Sequence, residues 1–225
     1  MPERGKYFVF EGGDGTGKST QAILFDKYIR SLGHDTLQVF NDETGLMEPI
    51  QEPGGTPAAD ILRRKIKDRT IERSPWNSVE WFTEARASIW SEAIVPALES
   101  GQHVITARSW LSTLAYQGYG EGMSLEEIRA YTREHVGEAY MAPDFVAILA
   151  LKKEKARKTR LANRSITDST ADTFESKPDE FQTSMQSGYV QLAHDHGIEL
   201  LDAEGSRTRV FRRILKSTQH LVDEM

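Results

Sequence analysis

The chain has 225 residues, with 28 Lys and Arg against 34 Asp and Glu for a formal charge of −6, and 38% of its residues are hydrophobic. That apolar fraction excludes wholesale disorder and suits one globular domain with a buried core, while the acidic balance argues against a dedicated nucleic-acid binder. Without a cysteine there are no disulfides, thiolate metal sites or cysteine nucleophiles; the longest apolar run, 145–151, falls far short of the roughly 20 residues of a membrane span, and no secretory leader follows Lys6, so a cytoplasmic protein is expected.

Short β-type runs alternate with longer helical ones, the pattern of an α/β domain with a mostly parallel sheet. Residues 6–11 read as a buried strand, 18–32 as a helix stopped by Gly33, and 36–40 as a second strand. The polar, turn-rich segment 41–55 reads as a surface loop, after which Thr56 caps and Pro57 opens a helix to about residue 67. Residues 78–100 read as one long helix carrying Trp81, Phe82, Ile89, Trp90, Ile94 and Leu98 on related faces and ended by Gly101. A third strand is expected at 103–106, then a short helix after Trp110. The Ser124-x-x-Glu127 spacing of a capping box opens a helix toward Gly137. A fourth strand at 145–151 leads into a basic helix at 154–162 and a polar stretch at 165–177. Pro178 opens a helix to about residue 196, a fifth strand covers 198–201, and a last helix reaches about residue 221.

One motif carries the chemistry. Gly12-Gly13-Asp14-Gly15-Thr16-Gly17-Lys18-Ser19 fits G-x-x-x-x-G-K-[ST] without a mismatch and sits between an expected strand and an expected helix. Glycines let backbone N–H groups turn around phosphate oxygens, the helix N-terminus adds positive potential, Lys18 reaches the β/γ-phosphates and Ser19 ligates Mg²⁺. Residues Gly12 through Ser19, with Thr20 beside them, are the expected ATP contacts. The bland reading is a glycine-rich turn that binds nothing.

The loop alone does not separate a kinase from a GTPase or an ATPase, but no base-reading N-K-x-D of a G protein is present. Glu52-Pro53-Gly54-Gly55-Thr56, the long helix with Phe82 and Arg86, and Arg108 through Ser112-Thr113-Leu114-Ala115-Tyr116-Gln117 resemble the thymidylate kinase family of P-loop nucleoside monophosphate kinases over almost the whole chain. The resemblance implies a single domain with a five-stranded parallel sheet flanked by helices and a lid at about 153–177. It implies phosphoryl transfer from ATP to dTMP giving dTDP, with Mg²⁺, in a homodimer paired through the long helix bearing Trp81 and Trp90. Arg63, Arg108 and the Glu52-Pro53 turn would surround the acceptor phosphate, where two anions must be brought together. Phe82 would stack on the thymine, Arg86 and Thr113 would bond its polar edge, Tyr116 would exclude a ribose 2′-hydroxyl, Asp14 would approach the 3′-hydroxyl and Gln117 would add a polar contact. Without the resemblance, Phe82 and Tyr116 read as core and Arg63 and Arg86 as solvated.

Lys152, Lys153, Lys155, Arg157, Lys158, Arg160 and Arg164 crowd into the segment after the fourth strand, which reads either as a solvated face or, by the resemblance, as a lid. Members of the family carry an arginine inside the P-loop or a basic lid; here the loop has none, so Arg157, Arg160 and Arg164 join Lys18 and Arg108 as catalytic residues. In Asp172-Thr173-Phe174-Glu175, a Thr stands where the lid element usually has Arg, and Glu175 joins Ser19 and Asp14 as a metal contact.

Two further departures are Ala107, where the family has Asp before Arg108, and Gln51, where Arg commonly precedes Glu-Pro-Gly-Gly; residues 41–50 are also longer than usual. They leave open a kinase for a modified deoxyuridylate, or a nucleotide-binding regulatory protein with impaired turnover. His194-Asp195-His196 reads as solvated surface at a helix end and no zinc is assigned.

Overall fold

The computed structural model describes residues 3–151, 154–165, 174 and 176–225. Its first strand, β1 (Tyr7–Glu11), is buried at every position, with Tyr7 and Val9 in one core and Phe8 and Phe10 in the other. A strand apolar on both faces belongs in the middle of a covered parallel sheet, and β1 is the middle strand of five. With β4 (Ile50–Gln51), β5 (Val104–Ala107), β6 (Phe145–Ala150) and β7 (Glu199–Asp202), the order is β4-β5-β1-β6-β7, and every pairing is parallel. After β1 the chain fills the β4 and β5 side of the sheet and only then crosses to β6 and β7 on the other, so a crevice opens at the carboxyl end of β1, where α/β sheets bind ligands.

Two apolar layers cover the sheet. On one side Phe8 and Phe10 pack with α1 (Lys18–Ser31) and α10 (Arg207–Val222), Phe25 lying 5.0 and 5.5 Å from their ring centres. On the other, Tyr7 and Val9 meet α2 (Pro57–Lys67), α3 (Pro75–Ile89), α5 (Trp110–Thr113), α6 (Leu125–His135) and α9 (Asp179–Asp195). Short helices α4 (Val95–Glu99) and α7 (Glu138–Met141), a π-helical stretch over Leu114–Gly120 after α5, and the basic α8 (Glu154–Ser165) complete the helices of the described residues. No helix among the described residues is long and apolar enough to cross a membrane.

The second strand and the loop after it differ from the sequence expectation. Instead of one strand at 36–40, Thr36 makes an isolated parallel bridge to His103, and the edge resumes only at β4, with Ile50 opposite Thr106 and Gln51 opposite Ala107. Between these two pieces the chain leaves the sheet as a hairpin of β2 (Val39–Asn41) and β3 (Leu46–Glu48), with Phe40 opposite Met47. Asn41 builds its turn: its carbonyl accepts from Gly45 N at 2.8 Å and its side chain from Glu43 N at 2.9 Å, and Gly45 takes the positive φ of 68° that the turn requires. The polar composition that suggested a loop is that of this turn.

The long helix also differs. It starts at Pro75, where Ser74 and Asn77 form a reciprocal capping box, and it widens into a π turn over Trp90–Ile94. Pro96 supplies the reason: it has no N–H to give and its ring crowds the carbonyl four residues back, so the ladder shifts by one residue ahead of it. Trp90 and Trp81 are both half-buried: Trp90 lies 6.0 Å from Tyr7 and 5.7 Å from Tyr140, and Trp81 lies beneath Lys65 Nζ, 3.8 Å from its ring centre.

Phe25→Ala removes a ring locked between Phe8 and Phe10 and is expected to lower unfolding free energy by about 3–5 kcal/mol, whereas Phe40→Ala on the exposed hairpin shifts it by less than about 0.5 kcal/mol; urea titrations of both variants check this.

Candidate active site

Between β1 and α1 the chain makes the tight glycine-rich turn expected of the G-x-x-x-x-G-K-S motif. Gly12 has φ 135° and a Cβ there would meet Leu149 O at 2.4 Å, so only glycine lets the loop pass this close to β6. Thr16 Oγ1 donates to Gly13 O at 2.8 Å, and Gly17, left-handed at φ 94°, begins α1 without a side-chain cap. The first N–H groups of α1, with Ser19 and Thr20 in its opening turn, therefore remain available to an anion at the positive end of the helix. Lys18 Nζ lies 3.2 Å from Asp14 Oδ1 and 3.4 Å from Gly13 O. Burial pushes Lys18 down to about 8, helped by the charge of Arg108 and opposed by Asp14.

A carboxylate not anticipated from the sequence organises the far wall. Glu11, fully buried at the end of β1, accepts from Ser109 N at 2.6 Å, Ser109 Oγ at 2.9 Å, Ser112 N at 3.1 Å, Ser112 Oγ at 2.8 Å and Tyr189 OH at 3.0 Å. The start of α5 is thus tied to the end of β1, and Arg108 between them takes a left-handed φ of 78°, uncommon for a residue with a side chain. Its guanidinium pairs with Asp14, donates to Ser112 Oγ at 3.1 Å and to Tyr116 OH at 3.2 Å, and lies 5.1 Å from the Tyr116 ring centre. Tyr116 OH in turn donates to Asp14 Oδ2 at 2.6 Å. Burial disfavours the ionised Asp14, but Arg108, Lys18 and Tyr116 together hold it well below the usual carboxylate range. A visible sign of Glu11 was a single acid closing an otherwise apolar buried strand.

The second half of the crevice is built on α3. Arg86, 1% exposed, donates from Nε to Glu52 Oε2 at 2.8 Å, from Nη1 to Thr113 Oγ1 at 2.7 Å and from Nη2 to Ser109 O at 2.7 Å. Glu52 also accepts from Tyr140 OH at 2.9 Å; burial pushes its carboxyl up to about 7 against the pull of Arg86. Glu52 therefore faces Arg86, a different task from the phosphate contact expected of it, and Tyr140 is a partner the sequence did not single out. Pro53 follows through a cis peptide bond. The Phe82 ring lies 5.4 Å from the Arg86 guanidinium, and Phe174 stands between it and Tyr116, at 6.1 and 5.5 Å from their ring centres. Phe174 was also unanticipated; the lone aromatic in the polar stretch 165–177 was its signal. Gln117 is fully buried and gives Nε2 to Glu121 at 3.2 Å, while its Oε1 lacks a partner among the described residues.

Helix α8 lies against the phosphate-binding turn. Arg157, buried, reaches Gln182 Oε1 at 3.2 Å, and its Cγ is 3.4 Å from where a Cβ on Gly15 would stand. Arg160 donates to the carbonyls of Gly15 and Thr16 at 3.3 Å and of Ala203 at 2.9 Å, so it clamps the turn to the end of β7. The Arg164 side chain, Thr173 and Glu175 lie outside the described residues. Arg63 sits on α2, with Nη1 2.8 Å from Gln51 O. Ala107 is 1% exposed in the apolar layer of Phe8 and Phe10.

A five-stranded parallel sheet in this order, with a P-loop at its middle strand and a basic helix laid over that loop, is the fold of the P-loop nucleoside monophosphate kinases. A thymidylate kinase family model matches residues 10–214. The thymidylate kinase of Chlorobaculum tepidum is 30% identical over 218 residues, covering 94% of this chain and 96% of that protein. That of Pelotomaculum thermopropionicum is 31% identical over 223 residues, covering 98% and 95%. In shape, a thymidylate kinase from Ehrlichia chaffeensis matches with a TM-score of 0.72 at 21% identity, over 97% of this chain and 100% of that one. The chain belongs to the thymidylate kinase family.

Glu11→Ala removes the acceptor of three backbone N–H groups, of Gly12, Ser109 and Ser112, and of three hydroxyls in a dry interior and is expected to cost about 3–5 kcal/mol of stability; Glu11→Gln, which keeps the acceptor oxygen, costs less, and urea midpoints of the two variants establish the order.

Proposed function

We propose that the crevice transfers the γ-phosphoryl group of ATP to dTMP, giving ADP and the dTDP needed for dTTP synthesis, and that the residues around it divide into a donor half and an acceptor half. The observation that carries this reading is Arg108, which touches both: one guanidinium is bonded to Asp14 of the P-loop and to Tyr116 of the aromatic pocket. Phosphoryl transfer asks little covalent chemistry of a protein and much positioning and charge neutralisation.

On the donor side, the open N-terminus of α1 and Lys18 take the β- and γ-phosphates, with Arg157 beside the turn to meet the charge that spreads over the transferring group. Arg160 holds the P-loop in shape from behind, and Arg164 remains on the same helix. On the acceptor side, Arg63 and Arg108 grip the 5′-phosphate. Phe82 stacks on the base, Arg86 and Thr113 meet its polar edge with Gln117 beyond, and Tyr116 stands against C2′. Glu52, its carboxylate turned to Arg86, positions that guanidinium.

Mg²⁺ suits this donor set, because it keeps much of its water and takes only one or two protein oxygens besides substrate phosphates. Among the described residues no group of three or more His, Asp or Glu converges as a metal cage. The Ser19 hydroxyl would hold the ion directly. Asp14, already engaged by two cations, would act through water, with Glu175 as a further contact. Bound Mg²⁺ would lower the repulsion between the β- and γ-phosphates. A homodimer through α3, whose Trp81 remains half-buried, completes the reading.

Offering dTMP, dUMP, UMP, dCMP, dGMP and AMP separately with ATP and Mg²⁺ tests it: ADP forms fastest with dTMP, and equal rates with all acceptors or none would overturn the assignment. Arg86→Ala is expected to raise the KM for dTMP at least about tenfold, the worth of a buried charged hydrogen bond, with KM for ATP unchanged. Lys18 is charged below about 8 and neutral above it, so ATP affinity of the free enzyme falls as pH rises through that value; calorimetric titrations from pH 7 to 9.5 should show the fall in the parent and not in Lys18→Met.

A further inference from the structure

The hairpin of β2 and β3 brings a carboxylate to the guanidinium that the proposed acceptor site needs. Arg63 Nε and Nη2 face Glu43 Oε1 and Oε2 at 3.2 and 3.4 Å, a two-pronged contact along one edge of the guanidinium. Nη1 on the other side is given to Gln51 O. Lys67, one turn further along α2, closes on the same carboxylate. Burial opposes ionisation of Glu43, but Arg63 and Lys67 hold it down to about 2, so it carries its charge at any working pH. The edge bound by Glu43 is the one a phosphate would take, because a forked guanidinium recognises two oxygens of a carboxylate or of a phosphate with the same geometry.

Nor is Glu43 a stray surface acid. Its backbone N–H is held by Asn41, and the base of the hairpin is pinned by Glu48, 8% exposed, which accepts from Asn41 Nδ2 at 2.8 Å and from Gln51 Nε2 at 3.1 Å. Gln51, the position where the family commonly has Arg, thus ties the inserted hairpin to the sheet edge. A cleft of about 220 Å³ between hairpin and α2, lined by Gln51, Gly54, Gly55 and Arg63 among others, leaves room beside the pair. Across the end of the sheet, Gln51 pairs with Ala107, directly before Arg108.

We propose that Glu43 is a stand-in for the acceptor's phosphate: it holds the forked edge of Arg63 in the free enzyme and must be displaced when the 5′-phosphate arrives. This rests on the placement of Arg63 at the acceptor phosphate. Glu43 is then a positioning and specificity residue. A phosphate dianion, with more charge and three acceptor oxygens, takes the guanidinium from it, whereas a nucleoside without phosphate leaves the pair closed. Because a half-exposed ion pair is worth little net, the effect on acceptor affinity is a factor of about two to five.

Steady-state kinetics on the full chain test this with Glu43→Gln, Glu43→Asp, Arg63→Ala and the Glu43→Gln/Arg63→Ala pair. The expected result is a two- to fivefold lower KM for dTMP in Glu43→Gln, with kcat, KM for ATP and inhibition by thymidine unchanged, and a return toward parental KM in Glu43→Asp. Arg63→Ala raises the KM for dTMP, and adding Glu43→Gln to it changes nothing further. If Arg63→Ala raises that KM while Glu43→Gln leaves it unchanged or raises it, the displacement idea is wrong and the placement of Arg63 stands. If Arg63→Ala leaves the KM unchanged, the placement fails and the displacement idea with it.

Discussion

A carboxylate shut away from water decides how the two ends of this active site face each other. Glu11 has no solvent to satisfy it, and a buried carboxyl group in that position is tolerable only if protein donors replace its hydration shell. Five donors from Ser109, Ser112 and Tyr189 do so. To supply them, the backbone after β5 must turn sharply enough that the N–H groups of Ser109 and Ser112 point back at β1. The left-handed conformation of Arg108 is the geometric cost of that turn, and its result is a guanidinium aimed across the crevice at Asp14.

Elsewhere in the crevice the same device recurs: each cation that the proposed function assigns to an anion or a base edge is held by an acid of the chain itself. Asp14 holds Lys18 and Arg108, Glu52 holds Arg86, and Glu43 holds Arg63. Concentrating four cations in a small volume would otherwise be destabilising through mutual repulsion and loss of hydration. The three acids are not equivalent. Glu52 is buried and further fixed by Tyr140, so its pair is part of the pocket wall, whereas Glu43 is half-exposed on the hairpin. Burial thus separates the enclosed pairs, which shape the pocket, from the half-exposed one, which the proposed displacement would open.

Much of this was legible in the sequence wherever a local rule has only one structural solution. A P-loop needs its glycines because backbone must approach backbone, as at Gly12 and Leu149, and Thr56-Pro57 can hardly do other than begin a helix. The geometry of the glycine-rich turn and of these helix starts was therefore readable, along with the grouping of Arg86, Thr113 and Tyr116 that the family resemblance supplied. What escaped depends on contacts distant in sequence. The pairing of Ile50 with Thr106 is a two-residue event that no periodicity reveals, and the detour between Thr36 and Ile50 reads as a loop because its turn residues outweigh its short strands. Glu11, Tyr140 and Phe174 acquire their roles in the site from partners about 50 to 180 residues away. Pro96 could have signalled the break in the long helix, but its effect falls on the turn before it.

The split edge strand has a further consequence for the molecule as a colloid. Open sheet edges are templates on which another chain can add a strand, and natural sheets protect them by keeping edges short or interrupted. Here the β4 edge is only two residues long, and the chain leading into it departs from the sheet altogether, so a second molecule finds no continuous row of free backbone donors and acceptors there. The insertion that brings an acid to the acceptor cleft also denies that side of the sheet to its neighbours, leaving β7, four residues long, as the longer of the two borders.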